Sequence, residues 1–230
     1  MGAISALIIW VYVREIRIAK PTAKVKISGN LKINPKFRVT FYTLLILGFA
    51  SGFNFGYIQP LLVYFTEHEF NLSVVDTVFT ISVAFFLSGI LNIFGQLGSG
   101  QLSDRTRKKK TIILLSITFS QLFTILLPLA PTIMFLVTFF VIRSAFHSLL
   151  WPPLLALQED LMPKHVRGKL TGLIETVSSF GLVLGPILGF IFYDLISPST
   201  PFFLGAGIFL TSVAIFYLFA KEPNLEESEL

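Results

Sequence analysis

Long apolar runs separated by short polar segments dominate this chain. Six of the runs can cross a bilayer as helices, since about 20 apolar residues span a hydrocarbon core of ~30 Å. They cover residues 39–65, 74–97, 111–129, 132–157, 170–193 and 201–220. A seventh run, residues 1–13, covers only ~20 Å at about 1.5 Å per residue. It is either the end of a longer helix or an interfacial segment. The pattern predicts an all-α integral membrane protein: a short N-terminal helix stub, then a six-helix transmembrane domain over residues 39–220.

The composition agrees with a membrane protein. Apolar residues make up 53% of the 230 residues and charged residues only 13%, about half the charged share of a soluble domain. The absence of cysteine excludes a disulfide framework and a thiol nucleophile. The three histidines (His68, His147 and His165) fall at three different levels of the predicted bundle, and no Gly-rich phosphate-binding loop occurs. We therefore expect no enzyme activity, no metal site and no bound cofactor.

Positive charge falls on every second polar segment. Residues 14–38 hold eight Lys and Arg, residues 104–110 five, residues 164–169 three and the tail 221–230 one. The intervening segments 66–73, 128–131 and 194–200 hold none. Because cationic loops stay on the cytoplasmic side, we expect a basic cytoplasmic linker over 14–38 and a cytoplasmic tail over 221–230. We expect the cell membrane as the location. The net charge of +5 fits lipid headgroups, and no compact basic domain is present to bind nucleic acid.

The eighteenth cation, Arg143, lies inside the fourth apolar run. It is ~16 Å from the outer end of that run, at a depth where an ionisable residue is a candidate functional site. His147 and Trp151 follow at i+4 and i+8 on the same helix face, so the three could line a solute path. The alternative is an arginine neutralised by an acid or by backbone carbonyls, which would lock two helices together.

Glu175 in the fifth run is the natural acidic candidate. A carboxylate at this depth suits proton coupling in a carrier. A static ion pair or a water-facing glutamate explains the residue equally well.

Small residues mark two of the runs. In the fifth run, Gly181, Gly185 and Gly189 recur at four-residue spacing beside Pro186. Such a strip lets another helix approach closely, and the proline favours a bend that could serve as a hinge. The glycine-rich first run holds two polar side chains able to meet a solute, Asn54 and Gln59. Close packing is the alternative for both runs.

Three spacings together resemble the major facilitator superfamily. The loop between the second and third helices of each half of that family reads G-x-L-x-D-R-x-G-R-K, and this chain matches it from Gly100 through Asp104 and Arg105 to Lys109. Arg107 replaces its second glycine. The segment from Asp160 through Arg167 to Gly172 is similar to the family's link between the fourth and fifth helices. The strip from Gly181 to Gly189 is similar to the fifth-helix motif of its antiporters, and Arg143 falls where the fourth helix often carries an arginine.

The resemblance implies one half of a twelve-helix secondary transporter that moves a small solute by alternating access. It also implies a charge network at the cytoplasmic gate made of Gly100, Asp104, Arg105, Asp160 and Arg167, with solvated loop charges as the alternative. The order of stub, basic linker, six spans and short tail fits the C-terminal half of a truncated or split chain.

Its expected partners are membrane lipid, the solute, and either a separate N-terminal half or a second copy. The alternative function is a non-transporting membrane protein, or an accessory subunit that binds another membrane polypeptide. An anion, a neutral sugar and an amphipathic drug all remain open as the solute.

Overall fold

The structure, a computed structural model, describes residues 35–106, 108–162 and 167–220. Each regular element in these residues is a helix, and the helices are α1 (Pro35–Glu69), α2 (Val74–Thr106), α3 (Lys109–Leu126), α4 (Ile133–Ser148), α5 (Trp151–Leu161), α6 (Arg167–Leu195) and α7 (Thr200–Phe219). A single 3₁₀ turn, Leu127–Leu129, extends α3. Counting α4 and α5 as one span, six segments of the described residues are long and apolar enough to cross a membrane. The all-α fold with six spans is confirmed.

The first span begins slightly earlier than its apolar run predicts. The helix α1 begins at Pro35, inside the expected linker 14–38, because proline has a helical φ and no N–H to satisfy in a first turn. The stub 1–13, the rest of the linker and the tail 221–230 lie outside the described residues.

The turn between α1 and α2 is tight: a backbone hydrogen bond closes the end of α1, and side chains cap the start of α2. Asn71 takes a left-handed φ of 49°, and the N–H of Leu72 donates to the carbonyl of Glu67 at 3.1 Å, which closes the end of α1. The Ser73 hydroxyl accepts from the N–H of Asp76 at 3.2 Å and donates to its carboxylate at 2.6 Å. This reciprocal pair starts α2.

The helix α2 continues well past the predicted end of the second span. It remains helical to Thr106, so Gly100, Asp104 and Arg105 lie on its last two turns rather than in a loop. No proline interrupts residues 98–106, and the Thr106 hydroxyl bonds back to the Leu102 carbonyl at 2.7 Å. The polar segment therefore extends the helix instead of ending it.

The fourth span is broken at residues 149 and 150, between α4 and α5. Pro152 and Pro153 have no N–H, so the carbonyls of Ser148 and Leu149 lose their helical donors. The N–H groups of residues 149 and 150 instead bond three residues back, both at 3.2 Å. The span predicted over 132–157 is present, but it consists of two helices instead of one, and the two prolines are the cause.

The helix α1 lies at the centre of the bundle. It packs most extensively on α6 and next on α7, whereas α4 packs on α2 and α3. Two apolar clusters form the core, one around Leu47 and Ile117 and the other around Leu61 and Leu136. Along α3 and α4, the polar side chains of Gln121, Thr124 and Arg143 lie between members of the two clusters, and with Asn54 of α1 they build the site.

The helices α1 and α6 pack closely against each other through glycines on both facing surfaces; we call this contact the glycine interlock. A Cβ added at Gly185 would stand 2.5 Å from the Phe53 carbonyl oxygen, and one at Gly181 would meet the backbone of Phe49 and Phe53. On the facing helix, a Cβ at Gly52 would meet the Ser178 backbone. The two backbones thus approach as closely as only glycine permits. Close packing is the role these glycines have in the structure, and the hinge at Pro186 stays a prediction.

Candidate functional site

Arg143 on α4 is buried, with 4% of its surface exposed. Its Nε donates to the Thr124 hydroxyl of α3 at 2.9 Å, and its Nη2 donates to the Asn54 side-chain carbonyl of α1 at 2.5 Å. Both acceptors are neutral. A guanidinium has five N–H groups, and the structure gives acceptors to two of them within the described residues. Arg143 therefore joins three helices and keeps donors for another group.

Asn54 connects Arg143 to a wider polar layer. Its Nδ2 donates to the Gln121 side-chain oxygen at 3.3 Å and lies 3.4 Å from the Tyr57 hydroxyl. All three side chains are at most 1% exposed. Gln121 also has a buried Nε2 without an acceptor in the described part of the chain. The layer is consequently well connected but not fully satisfied.

A cavity of about 310 Å³ opens beside Arg143, between α1, α2, α4 and the start of α5. Its uncharged polar lining comes from Gln59, Ser88, Asn92, Gln96, Ser144 and Ser148, and its aromatic lining from Phe55, Phe85, Phe140 and Trp151. The Ser144 hydroxyl donates to the Asn92 side-chain oxygen at 3.2 Å across the α2–α4 contact. Arg143 is the charged residue of this lining, which contains no carboxylate.

His147 and Trp151 line the same cavity as Arg143, although they do not share one helix face. Trp151 begins α5 beyond the break, and its ring lies 6.2 Å from the His147 ring at 86°. The His147 ring also stands 6.1 Å from Phe209 of α7. Its buried Nδ1 has no hydrogen-bond partner within the described residues. The three residues are brought together by the broken span.

Glu175 is not the partner of Arg143. It lies exposed on α6, a helix that packs on α1 and α7, while α1 supplies the Asn54 that bonds Arg143. The interposed helix α1 keeps the two charges apart. The alternative of a static Arg143–Glu175 ion pair is thus not what the structure has; Arg143 bonds Thr124 and Asn54 instead. Gln59 is also exposed, yet it borders the cavity.

The predicted gate network is not assembled in this structure. Asp160 forms its ion pair with Lys109, Nζ to Oδ2 at 2.5 Å, because α3 begins at Lys109 beside α5. The Arg167 guanidinium donates to the Glu159 backbone carbonyl at 3.0 Å. Asp104 and Arg105 are exposed on the last turn of α2, and no salt bridge links either of them to Asp160 or Arg167 in the described residues.

Several residues of the site were missed from the sequence, although a signal was present. Ser88, Asn92 and Gln96 recur every four residues in α2, which places them on one helix face. In α3, Ser116, Ser120 and Thr124 have the same spacing, Gln121 lies next to Ser120, and all four are buried. A polar strip inside an apolar span has to face the bundle or a cavity, since facing lipid would leave its groups unsatisfied.

These features define a class of protein. Six apolar spans form the bundle, and within its described residues a polar cavity lined by α1, α2, α4 and α5 contains a buried arginine as its charged residue. This arrangement is suited to holding a solute within the membrane.

The family follows from sequence. The sequence model of the Major Facilitator Superfamily matches residues 1–140 and 44–229. The second match covers most of the chain, so the chain belongs to this superfamily and is an integral membrane protein. Membership of this transporter family was predicted from the motifs and is confirmed.

Two relatives are similar over part of their length. Multidrug resistance protein 3 of Bacillus subtilis is 31% identical over 123 residues, 54% of this chain and 24% of the relative. An uncharacterized MFS-type transporter of Schizosaccharomyces pombe is 24% identical over 184 residues, 80% of this chain and 41% of the relative. The chain thus spans about a quarter of the length of the first relative and two fifths of the second.

Solved structures agree on the fold. Two crystal structures of the peptide transporter POT in complex with sulfate, one of them a mutant, superpose with TM-scores of 0.66 and 0.65 at 16% and 17% identity. The matches cover 80% and 76% of this chain and 40% and 36% of the transporter chains. At this identity the likeness concerns the fold alone.

Proposed function

We propose that these six helices are one half of a secondary transporter that moves a small solute by alternating access, with the Arg143 cavity as its wall of the solute path. The observation that carries the proposal is the buried guanidinium on that cavity, with N–H groups left over after its bonds to Thr124 and Asn54. A purely structural arginine would use its donors within the protein, because an unmet buried donor costs about 1–3 kcal/mol.

The proposal includes a partner and a coupling residue. The partner is a six-helix polypeptide, either a separate N-terminal half or a second copy, and the membrane is the cell membrane. Glu175, exposed on α6, is the carboxylate we assign to proton coupling, because its depth is unfavourable for a group facing lipid. Family membership favours this transport function over the accessory-subunit alternative.

The test is uptake by proteoliposomes that contain the chain alone or with a candidate first half. Radiolabelled benzoate, glucose and ethidium sample an anion, a sugar and an amphipathic cation. We expect at least one solute to accumulate faster than in empty liposomes, and Arg143→Gln to reduce that rate to the empty-liposome level. Glu175→Gln should remove the effect of an imposed pH gradient. Insertion and yield of both variants serve as the control, and uptake of no solute in either preparation would contradict the transport function.

A further inference from the structure

The charge of the cavity lining distinguishes between the three solute classes that the sequence allows: an anion, a neutral sugar and an amphipathic drug. Arg143 contributes a positive charge, and none of the described residues that line the cavity contributes a negative one. The carboxylate that could have neutralised it, Glu175, lies exposed on a helix behind α1. The two protein acceptors of the guanidinium, Thr124 and Asn54, are neutral. The cavity therefore carries a net positive charge in surroundings that screen it poorly.

We infer that the solute of this cavity is an organic anion, a carboxylate joined to an apolar group of about the size of an aromatic ring. The inference rests on the proposed function, since it takes the Arg143 cavity as the solute path. A carboxylate can accept two parallel N–H bonds from a guanidinium. Among the described residues, three N–H groups of Arg143 have no acceptor and are available for such bonds.

The apolar part of the solute is assigned from the aromatic wall. Phe85 and Phe140 form an edge-to-face pair, with centroids 5.5 Å apart, on the cavity surface. Trp151 adds its ring from the start of α5 and is 36% exposed. Aromatic rings favour offset or edge contacts with other apolar rings. A solute with an anionic end at Arg143 and a ring against these side chains satisfies both parts of the lining.

The same geometry disfavours the cationic alternative. Aromatic faces attract cations, but the repulsion between two unit charges a few ångströms apart exceeds that attraction at the effective dielectric of a protein site. A neutral sugar would leave the charge of Arg143 without a counterion. An anion is thus the solute class that would neutralise the positive charge of Arg143, which no carboxylate of the cavity lining neutralises.

Trp151 provides a direct readout of binding. The chain has two tryptophans, Trp10 and Trp151, so Trp10→Phe leaves the fluorescence of Trp151 alone. The purified 230-residue chain in nanodiscs would be titrated with benzoate, benzamide and benzamidine, which have nearly the same shape and carry negative, zero and positive charge. We expect a saturable signal with benzoate, at least 10-fold weaker binding of benzamide, and no saturable signal with benzamidine.

Variants then assign the effect to one residue. Arg143→Gln should weaken benzoate binding on the order of 30-fold or more, because it removes the charged partner of a buried pair, and should leave benzamide unchanged. Arg143→Lys keeps the positive charge but lacks the planar guanidinium, so its affinity for benzoate should lie between those of the unsubstituted protein and Arg143→Gln. Lys108→Gln, a loss of positive charge at an exposed site, is the matched control and should change nothing. Circular dichroism checks that each variant is folded. If Arg143→Gln does not fold, the relative affinities of benzoate, benzamide and benzamidine for the protein with Arg143 intact test the inference.

Two results would overturn the inference: benzamidine binding as tightly as benzoate, or benzoate binding that is unchanged in folded Arg143→Gln. The outcome separates from that of the uptake test. Uptake of glucose or ethidium without benzoate binding would contradict the organic-anion solute and support the transport function. Benzoate binding without uptake of any solute would keep the anion site and reject transport.

Discussion

At the scale of single residues, the central fact is that neutral side chains hold Arg143. Placing an arginine in the middle of a membrane helix costs about 3 kcal/mol on the insertion scale. Hydrogen bonds to a charged group are each worth about 1.5–3 kcal/mol, so the bonds to Thr124 and Asn54 offset a cost of that size. The guanidinium can therefore stay charged inside the bundle without a carboxylate beside it.

Thr124→Val should destabilise the bundle by about 1–3 kcal/mol, the cost of an unmet buried donor. The substitution keeps the side-chain volume and removes the acceptor of the Arg143 Nε. Thr138→Val is the matched control, because Thr138 is exposed and its hydroxyl makes the same bond to a carbonyl four residues back. It should change stability by no more than about 0.5 kcal/mol. Unfolding of the purified variants in detergent, followed by circular dichroism, measures both, and equal losses would contradict the role given to Thr124.

The polar residues of the site have a signal in the sequence, even where it was missed, but the partners of Arg143 have none. Arg143 and Asn54 are polar positions in apolar runs, and such positions have to face the bundle or water. Which group meets the guanidinium depends on the neighbours of α4, and sequence spacing carries no information on helix neighbours. Glu175 was the plausible choice by charge and depth, yet its helix contacts α1 and α7. Thr124 and Gln121 are less conspicuous and lie on the helix that does contact α4.

At the scale of helices, the six spans were predictable because about 20 apolar residues in a row have few other uses. The residues at which the helices begin and end were less predictable. The helix α2 extends to Thr106 since nothing in its polar end breaks a helix, and the fourth span breaks at residues 149 and 150. That break had a signal in Pro152 and Pro153, which cannot donate to the preceding turn. It reorients the chain so that Trp151 begins a new helix and still faces the cavity.

The glycine interlock makes a prediction for the contact between α1 and α6. Gly185→Ala would put a Cβ 2.5 Å from the Phe53 oxygen and 3.0 Å from the Tyr57 nitrogen. Backbone atoms cannot move aside as a flexible side chain can, so overpacking should cost about 1–3 kcal/mol. Gly172→Ala on the same helix meets nothing within 4 Å and should be neutral or slightly stabilising through helix propensity. Thermal unfolding of the two variants side by side checks this, and equal stability would show that α1 and α6 are less closely packed.

At the scale of the whole molecule, the six helices differ in how much of their surface the bundle covers. The apolar window of α1 is 61% buried, whereas those of α2 and α6 are each 22% buried. An exposed α6 carries Glu175, Thr176 and Ser179 among its apolar residues, which is a poor surface for lipid. The relatives are more than twice as long as the matched part of this chain. Both facts favour the proposal that another six-helix polypeptide covers these two helices.

Charge divides the molecule between its two ends, and this division predicts its orientation. The turns joining α1 to α2, α3 to α4 and α6 to α7 contain no Lys or Arg, whereas the other ends of these helices carry Arg105, Lys108, Lys109 and Lys110. Because cationic ends stay cytoplasmic, the α2–α3 connection should face the cytoplasm and the α3–α4 turn should face outward. The chain has no cysteine, so Thr106→Cys and Thr132→Cys, both at exposed positions, each introduce a single thiol. A membrane-impermeant maleimide added to intact cells should label Thr132→Cys and leave Thr106→Cys unlabelled until the membrane is opened. If Thr106→Cys were labelled in intact cells and Thr132→Cys were not, the predicted orientation would be wrong, and the Lys109–Asp160 ion pair would lie on the outer side.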